Sequence, residues 1–265
     1  MKTYLLLAFL GLGGIACSPS TSSITDRAFV APKIVNSQPL DKQVPDTSAL
    51  NEMQSSDIIY MGKHNWKREI DIYSDELSDE NFADRYSTSD RMADSMDIVG
   101  LTIVPDYDQT IWYAHYPSAS RMMYSYYPIF IINTTNTNKL FQAKDTYILG
   151  IQEAVDSTNG RYGHWFPIEH RPFDFCGNGR FYQVLQPGQF ILALVRKYHG
   201  DSKTSMRLRL QIGENIFVTK GFEGYINEQQ FELQDSSSLA RQVKEDPIGS
   251  ISYSFMGATP RVLSH

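Results

Sequence analysis

The chain has 265 residues, a formal net charge of -6, 42% apolar side chains and only two cysteines. Lysines and arginines are nowhere clustered, which argues against a nucleic-acid partner. Two cysteines cannot build a disulfide framework, so stability has to come from a packed core, and the length suffices for one sizeable domain or two small ones.

The chain opens MKTYLLLAFLGLGGIACSPS. Lys2 gives a positive start, and Tyr4 to Ile15 form an apolar run well short of the about 20 residues that a spanning helix needs. That is the plan of a secretory signal over residues 1–16. Gly14-Ile15-Ala16-Cys17 resembles the lipobox of bacterial lipoproteins, a likeness confined to the first 17 or so residues. It implies that the signal is cut before Cys17, that Cys17 is lipidated, and that the partner it reaches is a membrane. In the Gram-negative members of that family, a residue other than Asp after the cysteine goes with outer-membrane sorting, and here it is Ser18. Gly14 stands where the family usually carries Leu, and Gly14 with Ala16 also suits the small-x-small site of an ordinary cleaved signal. If Cys17 is lipidated, Cys176 has no partner for an internal disulfide.

Residues 17–57 are rich in Ser, Thr, Pro, Asp and Gln, with sparse apolar residues, and predict a disordered tether. Residues 58–125 contain an acidic stretch of weak periodicity and then two β-favouring runs, Ile98 to Val104 and Thr110 to Tyr116. The PDYDQ between them predicts a hairpin turn, so this region is expected to be part of the domain or an excursion from it.

From 126 to 227 short apolar runs alternate with turn signals. Asn159-Gly160 is a hairpin signal. Gln186-Pro187-Gly188-Gln189 suits a type II turn. Pro167 demotes HWFPIEH to an edge or a bulge. In TSMRLRLQI, Met206, Leu208, Leu210 and Ile212 alternate with Arg207, Arg209 and Gln211, which predicts one buried and one wet face. The spacing predicts an all-β fold, an antiparallel sandwich. Its Pro-Gly turn before a long apolar strand looks like bacterial immunoglobulin-like or fibronectin-like modules. Residues 228–265 read as a polar extension, with an added strand at Ile251 to Met256 or a loose tail.

The chemistry on offer is thin. His164, Glu169, His170, Asp174 and Cys176 crowd into one segment, but a straight strand would hold the two histidines roughly 20 Å apart. No metal-ligand spacing, nucleophile elbow or phosphate loop occurs, so the expectation is no catalytic residue, no metal and no cofactor. Trp112, Tyr113, Tyr116, Tyr124 and Tyr126, with Arg121 at the rim, form an aromatic run suited to gripping a protein or a glycan, or to filling a core. The expected role is a non-enzymatic binding or structural module of the cell envelope, on the outer membrane. Two alternatives are a permanent subunit of an outer-membrane assembly and a hydrolase using Cys176 or the His164–Asp174 cluster.

Overall fold

The computed structural model describes residues 29–37, 42–44, 51–52, 56–63, 68–73, 99–114, 122–144, 147–156, 163–171 and 180–263. Their strands are β1 (Lys33–Val35), β2 (Lys42–Val44), β3 (Asn51–Glu52), β4 (Ser56–Lys63), β5 (Glu69–Asp71), β6 (Leu101–Pro105), β7 (Ile111–Tyr113), β8 (Met122–Asn133) and β9 (Lys139–Lys144). They continue as β10 (Tyr147–Asp156), β11 (His164–Pro167), β12 (Glu169–His170), β13 (Arg180–Leu185), β14 (Gln189–Arg196), β15 (Ser202–Ile212), β16 (Asn215–Val218) and β17 (Phe222–Ile226). Two helices, α1 (Ser238–Glu245) and α2 (Pro247–Tyr253), follow.

The fold is all-β and sandwich-like, and its ladders are antiparallel except for the short pairs β1–β5, β2–β8 and β3–β12. In one sheet β14 lies between β4 and β8, and β8 carries β6 and β7 on its other side. In the second, β10 lies between β11 and β15, and β15 carries β16 and β17 along its outer edge. β4 joins the two, because Ser56 and Asp57 pair with β10 while the rest of the strand pairs with β14.

Side-chain alternation then sorts the apolar residues into layers. Tyr127, Ile129 and Ile131 of β8 and Ile191, Ala193 and Val195 of β14 face Ile148, Leu208, Leu210 and Ile212 across the inter-sheet core. The intervening Tyr126, Phe130, Ile132, Phe190, Leu192 and Leu194 point the other way, and Phe29, Ala31, Ile34, Ile70 and Ile72 cover them. On the second sheet Leu149 and Ile151 point outward and are covered by Leu239, Val243, Phe255, Met256 and Ala258. The order is therefore an N-terminal layer, two sheets and a C-terminal helical layer. Central strands are buried on both faces, which is why β8, β10 and β14 read as continuous apolar runs rather than alternating ones.

Four expectations are corrected by this arrangement. The first concerns the tether. Ile34 is only 3% exposed, and the Phe29 ring lies 5.2 Å from that of Phe130 and 5.6 Å from that of Phe190. Burying each such side chain stabilises the fold by about 1.5–3 kcal/mol. The Ile34 amide also donates to Gln109 Oε1 at 2.7 Å, and Asn36 Nδ2 donates to the Trp112 carbonyl at 2.8 Å. Residues 29–37 therefore belong to the fold. So does β4, and the boundary placed at residue 126 falls inside β8.

The second is the hairpin around residue 107. β6 and β7 do not pair with each other; both lie antiparallel to β8, at Ile129–Asn133 and Tyr124–Tyr126. The break between them matches Pro128. Its carbonyl accepts from the Asp106 amide at 2.9 Å, so its nitrogen faces the same edge and has no proton to give. There the chain leaves the ladder and folds Tyr107 inward, 4.9 Å from the Tyr127 ring and 5.1 Å from that of Phe222.

The third is the C-terminal region. Ile251 to Tyr253 end helix α2 instead of forming a strand, and Phe255 and Met256 pack with Leu239 and Val243 of α1 on Leu149 and Ile151. Ser237 caps α1 by accepting from the Ala240 amide at 3.0 Å, and Asp246 caps α2 by accepting from that of Gly249 at 2.9 Å. The fourth is the wet face of β15. Met206, Leu208, Leu210 and Ile212 are buried as the alternation predicts, but Arg207 and Arg209 on the opposite face are only partly exposed and hold Glu153 of β10.

Other local readings match. At the Pro187-Gly188 turn, Gly188 has φ +71 and the Gln189 amide donates to the Gln186 carbonyl at 3.0 Å. The turn carries the chain from β13, paired with β9, to β14 in the other ladder. β11 folds back on β10 from Asp156↔His164, and among the described residues it pairs with no other strand. The Asn159-Gly160 pair of that loop lies outside the described residues.

Candidate functional site

The densest polar chemistry lies where the two sheets meet the end of β14. Gln152 of β10 points between the sheets, and its Oε1 accepts from the Tyr127 hydroxyl at 3.0 Å. Its Nε2 donates to Glu169 Oε1 at 2.8 Å and to the Arg196 carbonyl at 2.9 Å, and its own amide donates to Glu169 Oε2 at 2.7 Å. The Tyr198 hydroxyl completes the set by donating to Glu169 Oε1 at 2.6 Å. Gln152, Tyr127, Tyr198 and Glu169 are all buried.

Burial pushes the Glu169 carboxyl up from its ordinary range. The bonds from Tyr198 and Gln152 and the nearby Arg196 charge pull it partly back. Burial also raises the Tyr127 phenol well above its usual value, which keeps it protonated and donating. Both oxygens of the carboxylate are occupied by donors of the chain itself. This arrangement ties β8, β10, β12 and the residues after β14 together, and it presents no proton-transfer group to solvent.

Three neighbouring groups behave the same way. The Ser125 hydroxyl lies 2.9 Å from His199 Nε2, a serine–histidine contact between residues 74 apart in sequence. The same hydroxyl donates to the Lys197 carbonyl at 2.8 Å, and Ser125 is wholly buried, so it lacks the exposure a nucleophile requires. Lys197 Nζ donates to the carbonyls of Tyr107 and Gln109 and to Thr110 Oγ1, holding the loop that interrupts the β6–β7 edge. Desolvation lowers the Lys197 ammonium from its ordinary value, against the opposing charges of Asp108 and Asp106. The Arg196 guanidinium sits 3.8 Å over the Tyr124 ring and reaches the Tyr126 hydroxyl at 3.3 Å.

The aromatic run divides. Tyr126 is buried in the outer-face cluster, and Tyr113 and Tyr124 are half-buried against it, with the rings of Tyr113 and Tyr126 at 6.0 Å. These three fill a core. Trp112 pairs with Ser125 and stands on the opposite face of β7, partly exposed. Tyr116 and Arg121 lie outside the described residues, as do Cys17, Asp174 and Cys176. His164 is exposed and stacks on Phe166 with ring centroids 6.3 Å apart, whereas His170 Nδ1 is 3.3 Å from the Arg171 carbonyl. Among the described residues no group of three His, Cys, Asp or Glu side chains converges as metal ligands would.

Two further buried carboxylates are tied by arginines. Glu153, 1% exposed, holds Arg207 Nε at 2.7 Å and Arg209 at 3.2 Å, while the Arg207 guanidinium also covers Trp165 at 4.3 Å. Asp156 binds Arg261 at 3.3 Å, and Arg261 also meets Glu228 and Glu232. Asn133, the first residue of an Asn-Thr-Thr sequon, is buried and its Nδ2 donates to the carbonyls of Thr137 and Leu185, so that nitrogen is committed to the β8–β9 turn and to the end of β13.

Sequence reasoning missed the Glu169 network, because its members are scattered over some seventy positions and no local spacing links them. The only signal was negative: Gln152 and Glu153 sit inside an apolar strand, where a polar pair has to find partners. Comparison of the chain with family models, with curated proteins and with solved structures returns no match.

Proposed function

We propose that the chain is a lipid-anchored protein of the bacterial cell envelope with a non-enzymatic binding or structural role. The observation that carries the reading is Cys17 at the end of Gly14-Ile15-Ala16-Cys17, directly after an apolar run too short to span a bilayer. Ser18 favours the outer membrane as its site. The non-enzymatic part draws support from the polar interior, where Glu169, Ser125, Lys197, Glu153 and Asp156 are each engaged by groups of the chain itself. The partner is a protein or a glycan. Of the aromatic run, partly exposed Trp112 is the described residue proposed to meet it; Tyr113, Tyr124 and Tyr126 pack in the outer-face cluster, and Tyr116 and Arg121 stay in the proposal on their place in the sequence alone.

Cross-linking of the full-length protein in intact cells, with mass-spectrometric identification of the captured species, tests this reading. A reproducible envelope protein or glycan conjugate that is lost on Trp112→Ala is the expected result. Turnover of an envelope substrate by the purified protein, abolished by Cys176→Ala without loss of stability, would contradict it and restore the hydrolase.

A further inference from the structure

We infer that the layer built from residues 29–37 and 68–73 is the face of the domain turned toward the lipid headgroups, with the C-terminal helical layer turned away. This rests on the lipidation of Cys17 proposed above. Twelve residue steps separate Cys17 from Phe29, the first of the described residues and packed into the fold. Even fully extended, they span at most about 40 Å. A tether running to residue 57 would have reached roughly three times as far.

The chain enters the fold within one outer layer, and the C-terminal helices cover the outer face of the other sheet. With layers about 10 Å apart, the helices stand roughly 30 Å farther from the anchor than the N-terminal layer does. The leash therefore favours one orientation over the reverse.

Charge points the same way. Across residues 29–37 and 68–73, Lys33 and Arg68 balance Glu69 and Asp71, giving a neutral face. Across residues 228–263, Arg241, Lys244 and Arg261 face Glu228, Glu232, Asp235, Glu245 and Asp246, a net charge of −2. An anionic leaflet repels the second face and not the first. Exposed apolar side chains do not separate the two layers, since Val30 and Tyr73 on the first are matched by Ile248 and Val262 on the second, so the leash and the charge carry the orientation.

The experiment uses the full-length protein, extracted from its own membrane and reconstituted into phosphatidylethanolamine–phosphatidylglycerol vesicles. A fraction of the lipid carries a photoactivatable diazirine on its headgroup, and adducts are mapped to peptides after illumination. Adducts several-fold enriched in residues 29–37 and 68–73 over residues 228–263 are the expected result. An even spread, enrichment in the helical layer, or no adducts on either layer would overturn the inference. The intact mass of the same sample separates the two ways of failing. If Cys17 carries no acyl chain, the anchoring itself is wrong; if it is acylated and the adducts are not enriched, only the orientation is wrong.

Discussion

The two outer layers do the same job with different chemistry. The N-terminal layer is two short parallel strands and a few apolar side chains, with Phe29 and Ile34 laid on Phe130 and Phe190. The C-terminal layer is two capped helices and the turn after them; Leu239 and Val243 of α1, with Phe255 and Met256 of the turn, sit on Leu149 and Ile151. Beside it, Glu153 and Asp156 of β10 are clamped by Arg207, Arg209 and Arg261. Apolar cover is tolerant in direction but sensitive to volume. Ionic cover is the reverse, because a buried carboxylate without its partner is costly. The same sheet architecture is thus protected on one side by packing and on the other by packing plus paired charge.

Removal of the N-terminal cover should have the largest effect. A chain beginning at residue 38 loses Phe29, Ala31 and Ile34 and uncovers the outer face of β8 and β14. It is expected to aggregate or unfold, whereas a chain beginning at residue 29 stays folded; size-exclusion chromatography and circular dichroism of the two separate these outcomes. If both behave alike, the N-terminal layer is dispensable. Next comes Phe130→Ala, which removes the ring against which both Phe29 and Phe190 pack. It should cost about 3–5 kcal/mol in denaturant unfolding, and a loss below about 1 kcal/mol would mean that the face is loosely packed.

On the opposite side, Glu153→Gln keeps the shape and removes the charge. Because Arg207 and Arg209 retain some access to water, the loss should be about 1–3 kcal/mol and should shrink in high salt. A neutral result would reduce the clamp to geometry. Ser237→Ala deletes the cap of α1 and should cost about 1 kcal/mol without changing the sheet signal.

The last effect is a slope. Glu169 has its carboxyl raised in the fold, so the stability it contributes is complete below the ordinary carboxylate range and is lost as pH rises through the raised value. Unfolding free energy measured against pH should therefore fall in that window for the parent chain and stay flatter for Glu169→Gln. Parallel curves would show that the carboxyl is not perturbed.

Much of the sandwich could be read from local text. Pro187-Gly188, the alternation of β15 and the fold-back of β11 on β10 each follow from short-range rules, and they lie in the region where turn spacing was regular. The outer layers could not be read that way. In residues 28–35, AFVAPKIV, six of the eight residues are apolar, yet averaged with the polar residues around them they pass for linker. α1 and α2, at eight and seven residues, are too short for a convincing helical period, although Ser237 and Asp246-Pro247 mark where each begins. The hairpin reading fails at β8, a strand distant in sequence that takes both β6 and β7 on one edge and carries Pro128 opposite the break between them. The aromatic run was the least legible part, because Tyr126 is buried in the outer-face cluster with Tyr113 and beside Arg196, a packing that no local spacing announces.

Whether the chain enters its fold at Phe29 is best tested by hydrogen exchange on the full-length, membrane-extracted protein, read at the amides of residues 33–35. The Lys33 amide donates to the Arg68 carbonyl and the Ile34 amide to Gln109, so these protons should exchange orders of magnitude more slowly than in an unstructured chain. Exchange at unstructured rates would return residues 29–37 to the tether, remove the short leash, and leave the outer face of β8 and β14 to be covered by something else.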